Sequence, residues 1–492
     1  MPSHHHAIPN RRARAIRTIA ENSVSSARSA DPVLSDNAPA LPDNAAAQSG
    51  AVPALTDESP VLGLMDLDWV DTAFDRLTAA FASDREVLHA VACKAVPLPS
   101  LLRRFAEAGA GCEVASPGEL ELALSAGFTP DRIVFDSPAK TWAELRRAVD
   151  LGVSINVDNF DELARLDELL DDRDGTAASA RIGFRINPQS GTGAIGALST
   201  ATETSKFGVG LADPGTREAL IEAYLDRPWL GQIHVHSGSQ GISLDKAAVG
   251  IRAAVDLAEE INARASGRQI TRIDIGGGLS VNFDGEDITP TFADYRAVLE
   301  TQVPSLFDFD IVTEFGRALL AKSGTVLTRV EYAKTTGGRR IAMTHAGVQV
   351  ATRTAYAPND WPLRILPFTP EGDPKIAEAA DTEIVPTDVA GPACFSGDLL
   401  ARDQLLPRLD AGDLVAVPET GAYYFSNPFS YNLLPRVPVY GYRTAADAGT
   451  EFYLIRRGQT IADVLAEAGE TELHALSPDD RKTPVESMAP GS

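Results

Sequence analysis

Cysteine is scarce in this chain. Cys93, Cys112 and Cys394 are the three cysteines in 492 residues, too few for a disulfide framework, which points to a reducing compartment and a cytoplasmic protein. No apolar run approaches the roughly 20 residues that span a bilayer, and the first residues lack the continuous apolar core of a secretory signal. Positive charge is short too. Lys and Arg together number 44 against 68 Asp and Glu, a formal net charge of −24. That balance argues against nucleic acid and anionic membranes as partners. No Cys, His and Asp set has metal-ligand spacing, so no metal is expected. His4, His5 and His6 read as part of a flexible tail.

Lysine is rarest among the cations, with eight residues against 36 arginines. One of them, Lys94, ends the apolar run Val87-Leu88-His89-Ala90-Val91-Ala92-Cys93. A lysine at the end of a buried strand is costly unless it is paired or used. Burial should lower its pKa, which favours the nucleophilic free amine. A lysine snorkelling to the surface is the plainer alternative.

The length suggests two or more domains, and 44% apolar residues is ordinary for a globular chain. Residues 1–55 are rich in Ala, Ser, Pro, Asn and Asp with little periodicity and read as a disordered extension. Residues 466–492 read as a flexible tail. Between them, eight β-branched runs alternate with helical stretches: 87–94, 112–116, 132–136, 153–158, 181–187, 231–237, 271–276 and 310–314. Leu101 to Ala108, Gly118 to Ala126 and Trp142 to Leu151 are clear amphipathic helices. Eight such units predict a (β/α)8 barrel over 56–335, with an open doubly wound sheet as the alternative. From about 336 to 465, apolar alternation with many Pro and Gly predicts an all-β domain.

A barrel carries its chemistry at the carboxyl ends of its strands. Those ends are Lys94, Ser116, Asp136, Asp158, Asn187, His236, Gly276 and Glu314. Three are specific. Ile273-Asp274-Ile275 runs into Gly276, Gly277 and Gly278, where bare backbone could approach a phosphate; a tight turn would use the same residues. His234 and His236 alternate onto one face, followed by Ser239. Glu314 stands beside Arg317, an acid able to hold a ring nitrogen protonated next to a fork for an anion, unless the two are only a surface ion pair. In the second domain, Cys394 sits between Gly391-Pro392 and Ser396-Gly397-Asp398. Such a cysteine is often a small buried hydrophobe, but this setting looks placed.

Together these residues resemble the fold-type III pyridoxal-phosphate enzymes, and more narrowly the diaminopimelate and ornithine decarboxylase family. The resemblance spans about residues 60 to 442. It rests on Lys94-Ala95, Ala115-Ser116-Pro117-Gly118-Glu119-Leu120, Ser205-Lys206-Phe207-Gly208 and His236-Ser237-Gly238-Ser239-Gln240. Gly276-Gly277-Gly278, Glu314-Phe315-Gly316-Arg317, Gly391 to Asp398 and Gly421-Ala422-Tyr423 complete it, in that order. The resemblance implies an alanine racemase-like TIM barrel with a C-terminal all-β domain, pyridoxal 5'-phosphate as cofactor, and a head-to-tail homodimer with shared active sites. Lys94 would carry the cofactor, His236 would stack on its ring and Glu314 would pair with the ring nitrogen. Ser239, Gly276, Gly277, Gly278, Gly316, Arg317 and Tyr423 would hold the phosphate or a neighbouring substrate carboxylate. Cys394, from the partner subunit, would return a proton to the substrate carbon after CO2 leaves.

Two departures from the family pattern bear on substrate. The acid that normally follows the cysteine, and meets a distal amine, is Phe395 here. The usual Glu-Pro-Gly-Arg segment has Phe315 in place of proline. Arg353, with Tyr356 nearby, falls where diaminopimelate decarboxylases hold the distal carboxylate. The expectation is a decarboxylase of an amino acid or amino-acid conjugate with a carboxylate or polar distal end, lined by Arg317, Arg353, Tyr356 and Phe395. The alternative is diaminopimelate decarboxylase itself. A racemase would need a tyrosine base where Cys394 stands, and a non-catalytic regulator would have lost Lys94, His236, Glu314 or Cys394.

Overall fold

The chain enters its second domain before it builds its first. Strand β1 (Val61–Asp66) pairs antiparallel with β11 (Gly324–Thr336) and parallel with β17 (Val439–Ala445). The computed structural model describes residues 7–29, 52–171, 181–191, 201–377, 382–445 and 449–469. The expected boundary at 56 is therefore corrected: the first strand after it belongs to the sheet domain. All six residues of β1 are buried, so this strand is central to that sheet and ties the two domains together.

The barrel follows. Strands β2 (Val87–Ala92), β3 (Gly111–Val114), β4 (Ile133–Phe135), β5 (Ser154–Val157) and β6 (Ile182–Asn187) come first, then the short β7 (Val209–Gly210), β8 (Leu230–Val235), β9 (Arg272–Asp274) and β10 (Asp310–Thr313). Parallel pairing runs β5-β4-β3-β2-β10-β9-β8-β6, and β5 pairs again with β6. That last pairing closes eight strands into a barrel, with β7 appended to β6. Both faces of these strands are covered, which is why their sequences read as near-continuous apolar runs. The three amphipathic helices expected from sequence are present as Pro99–Glu107, Pro117–Ala126 and Trp142–Leu151. Ser116 and Thr141 cap the last two through the backbone N–H groups of Glu119 and Glu144.

The second domain is mostly sheet. Strands β12 (Arg339–Thr344), β13 (Leu366–Phe368), β14 (Ile384–Ala390), β15 (Leu399–Pro407), β16 (Leu414–Pro418) and β18 (Gly449–Arg456) extend the sheet begun by β1, β11 and β17. It also contains the helix Val348–Tyr356, which carries Arg353, and it ends in the helix Ile461–Ala468. The expected all-β domain thus gains two helices, and residues 466–468 belong to the second rather than to a tail.

A larger correction concerns the N-terminus. Ala7–Ser29 is a helix, not a disordered segment. Ala15, Ile16, Ile19 and Ala20 are buried against Leu62, Leu64, Leu327 and Tyr442. Arg11 pairs with Asp66 at 2.7 Å, and Arg12 forks onto Glu286 at 2.9 and 3.2 Å. Four small or branched apolar residues among many polar ones give a narrow stripe, which suffices once a sheet face receives it. The expectations for residues 1–6, 30–51 and 470–492 lie outside the described residues.

Candidate active site

β2 ends in a single 3-10 turn, Cys93–Ala95. The turn lifts Lys94 into a cavity of about 510 Å³ at the carboxyl ends of the barrel strands. The same cavity is lined by Asp136, Arg185, Lys206, Phe207, His236, Ser239, Gly278, Glu314, Gly316, Arg317, Arg353 and Tyr423. Seven of the residues singled out in the sequence for cofactor or phosphate, together with Arg353, singled out for substrate, therefore meet Lys94 in one place. Gly276 and Gly277 lie directly behind it, and the Gly277 N–H donates to His236 Nδ1 at 3.1 Å. That bond fixes the imidazole's orientation and leaves its proton on Nε2. Burial drives the His236 pKa well below the ordinary range, so the ring is neutral.

Close backbone approach explains two of the glycines. Gly278 has φ +98, and a Cβ there would stand 2.3 Å from the Gly238 carbonyl oxygen. A Cβ on Gly316 would meet the Ala95 Cβ at 2.7 Å, next to Lys94. Tyr423 itself holds φ +69, a rare setting for a bulky residue. Its N–H donates to the Ala95 carbonyl at 2.9 Å, which anchors the second domain to the lysine turn.

The lysine does not have the electrostatics expected of it. Its ammonium donates to Glu113 Oε1 at 2.6 Å. Its side chain is 43% exposed to the open cavity; loss of water from the surrounding walls alone would lower its pKa, but Glu113, then Tyr423, Glu314 and Asp136, outweigh that and raise it. The expected depression is thus reversed, because the inward face of the barrel mouth is acidic. Burial in turn raises the pKa of Glu113 against the pull of Lys94. Burial also raises Glu314 well above the ordinary range, reinforced by Glu113 and Asp136. Asp136 goes the other way: burial opposes its charge, but Arg185, at 2.6 Å, holds it down.

Arg317 and Arg353 face the opposite wall. Tyr423 lies 4.6 and 4.5 Å from their guanidinium carbons, and Trp361 lies 4.6 and 5.0 Å from them. Among the described residues neither has an acidic partner, and Arg317 Nε and Nη1 and Arg353 Nη1 find no acceptor. Two stacked, unpaired guanidinium groups beside a glycine turn make an anion site. Burial lowers the Arg317 pKa to about 10.

The remaining sequence candidates are elsewhere. Cys394, Tyr356 and Phe395 do not line this cavity. Cys394 is exposed, and its N–H is held by Asn432 Oδ1 at 2.8 Å. Phe395 stacks on Tyr356, centroids 5.6 Å apart, and meets Tyr431 edge-on at 5.6 Å. Tyr356 is 58% exposed. His234, His236 and Glu314 bring ligand-type atoms within 4.8 Å of one another, a geometry that could hold a metal ion although no spacing rule suggested it. Sequence reasoning passed over Glu113, Arg185 and Trp361. For Glu113 a signal existed: an acid alternating inside an apolar barrel strand.

Comparison with known proteins shows the family and the fold. The family described as "Pyridoxal-dependent decarboxylase, pyridoxal binding domain" matches residues 67–321. A diaminopimelate decarboxylase of Helicobacter pylori (strain J99) is 31% identical over 383 residues, 76% of this chain and 88% of the relative. One from Deinococcus radiodurans is 34% identical over 406 residues, 82% and 94% of the two chains. Among solved structures, diaminopimelate decarboxylase from Helicobacter pylori complexed with L-lysine superposes with a TM-score of 0.71 as a point mutant and 0.70 in a structure whose description names no mutation. Each has 28% identity and covers 83% of this chain and 97% of its own.

Proposed function

Because the chain belongs to the pyridoxal-dependent decarboxylases, we propose that it removes the α-carboxylate of meso-diaminopimelate or a close analogue at the Lys94 cavity. The observation that carries this reading is the placement of Lys94 and Glu314 opposite two unpaired guanidinium groups, Arg317 and Arg353, in one cavity. The relatives' names favour diaminopimelate over the broader substrate expected from sequence.

The residues fit pyridoxal 5'-phosphate. Glu314 Oε1 and Arg317 Nε and Nη1 are buried without partners, and the Gly278 turn leaves no room for a side chain. When bound, the cofactor supplies the electron sink that decarboxylation needs. Lys94 would hold it covalently. Glu314, whose raised pKa lets it keep a proton, would share that proton with the ring nitrogen. His236, neutral and fixed by Gly277, would offer an uncharged ring face. Ser239, Gly278, Gly316 and Arg317 would hold the phosphate, with Tyr423 keeping the arginines in place; Gly276 and Gly277, whose N–H groups are taken by Asp274 Oδ1 and His236 Nδ1, would shape the turn rather than donate to it. Arg353 would take a substrate carboxylate.

Cys394 is exposed and does not line the cavity of its own chain; it would serve the cavity of a second copy, returning the proton to the substrate carbon. The aromatic group of Tyr356, Phe395, Phe429 and Tyr431 around it supports that role, since apolar rings left on a surface suit an interface. Mixing Lys94→Ala and Cys394→Ala protomers should restore part of the activity. No recovery despite subunit exchange would leave each site to one chain.

One observation favours a second reading. Phe395 is stacked on Tyr356 rather than presenting a charge, so a distal ammonium would lose a charge-assisted bond of about 1.5–3 kcal/mol. The same chemistry on an acid without a distal amine would avoid that loss. Comparing kcat/KM for meso-diaminopimelate, ornithine, lysine and acidic amino-acid conjugates decides between them. Efficient turnover of diaminopimelate supports the first reading; turnover of the conjugates alone supports the second.

A further inference from the structure

A second cavity is larger than the lysine cavity. It holds about 660 Å³ and lies between the helix Leu67–Ala80 and the segment that follows the glycine turn. Its walls are mainly apolar: Trp69, Ala73, Val281, Ile288, Pro290 and Phe292. Ala79 and Ala293, both exposed, stand at its mouth.

Its charge is the unusual feature. The lining contains two cations, Arg76 and Lys322, and no Asp or Glu, in a chain with 68 acids against 44 bases. Lys322 is already engaged, donating to Glu419 Oε1 at 3.2 Å. Arg76 is half-buried and has no acidic partner among the described residues; its guanidinium carbon lies 5.1 Å from the centre of the Trp69 ring. A guanidinium held against an indole at the edge of an apolar chamber matches a carboxylate on an apolar body.

The chamber also touches the active-site cavity. Leu279 and Ala318 line both. They directly follow Gly278 and Arg317, the turn and the guanidinium of the anion site. A ligand pressing on these two side chains would act on the backbone that sets both groups.

We propose that this chamber is a second ligand site, for a small carboxylate with an apolar body, and that its occupancy is felt at the active site through Leu279 and Ala318. Binding can be measured without turnover, so this site stands or falls separately from the substrate reading. The test is calorimetric titration of octanoate, and of neutral octanamide, into the holoenzyme. The expected result is one octanoate per chain, octanamide weaker by about tenfold or more, and a similar loss in Arg76→Gln. Ala79→Trp, which narrows the mouth at an exposed position, should remove binding, and Arg353→Gln should leave it intact. Saturating octanoate should change KM by about fivefold in the wild type and not in Ala79→Trp. Absence of saturable binding, or equal affinity for the amide, overturns the site. Loss of binding in Arg353→Gln with retention in Arg76→Gln would move the ligand to the active-site cavity. Unchanged kinetics with one octanoate bound per chain would overturn the coupling.

Discussion

Lys94 and Glu113 are joined by one hydrogen bond, ammonium Nζ to carboxylate Oε1, at 2.6 Å. The pair spans adjacent barrel strands, which pair from Ala90 with Gly111 to Ala92 with Glu113. Its effect is to keep the lysine protonated: burial would lower the pKa, and Glu113 is the foremost group that raises it. Only the neutral amine adds to an aldehyde, so Glu113 should hold back cofactor capture by the cofactor-free protein. Glu113→Gln should capture pyridoxal phosphate roughly tenfold faster at each pH from 7 to 9, the equivalent of one pKa unit. Stopped-flow absorbance checks this. A rate that stays the same or falls means that Glu113 does not control the lysine's proton.

That pair also marks where sequence reading stops. The eight strands were legible because parallel barrel strands are covered on both sides and read as apolar runs. Lys94, His236, Glu314 and Arg317 were legible because they break those runs at the strand ends. Glu113 lies one residue before the end of β3, so reading the ends alone misses it. The direction of the Lys94 pKa was hidden for a related reason: it depends on how many acids share the mouth, a tertiary quantity. Trp361, which lies against both arginines, carries no local signal at all. The N-terminal helix failed differently, since its stripe of Ala15, Ile16, Ile19 and Ala20 is diluted by arginines that themselves find partners on the fold.

One of those arginines gives a pH test. Burial opposes the charge on Glu286, but Arg12 and Arg364 outweigh it and bring its pKa down to about 2. A depressed carboxylate contributes stability that is fully present above its unfolded pKa of about 4.3 and is lost as pH falls toward 2. Arg12→Ala should lower stability by about 1–3 kcal/mol at pH 7. The gap from wild type should narrow at pH 3, because less of the Glu286 contribution remains to be lost. Urea unfolding at the two pH values measures it, and a gap that does not depend on pH would detach Arg12 from Glu286.

The atoms of His234, His236 and Glu314 that lie within 4.8 Å of one another pose a direct choice between a metal and a ring-binding role. With His236 Nδ1 already accepting from the Gly277 N–H and Glu314 protonated more readily than usual, the set suits an aromatic nitrogen heterocycle better than a cation. Dialysis of the holoenzyme against EDTA should therefore leave its activity and its cofactor absorbance unchanged. Loss of activity that is restored by a divalent cation, with absorbance intact, would reassign these residues to a metal.

The sharpest test of the anion site uses a residue whose cost and benefit separate. Arg353 is a half-buried cation without an acidic partner among the described residues; its Nη1 is enclosed without an acceptor, and burial lowers its pKa. Such a group weighs against the folded protein until an anion arrives, since a buried unpaired charge is destabilising. Arg353→Gln should therefore leave the melting temperature of the substrate-free enzyme unchanged or raise it. Turnover should respond in the opposite sense. Losing a charge-assisted bond of about 1.5–3 kcal/mol should raise KM for the substrate by roughly 10–100-fold, with kcat changed far less, as expected for an interaction equally present in ground and transition states. A residue that served only to pack on Trp361 and Tyr423, 5.0 and 4.5 Å from its guanidinium carbon, would give the reverse pattern. Its loss would lower the melting temperature and leave KM alone, and that outcome would remove Arg353 from the substrate site.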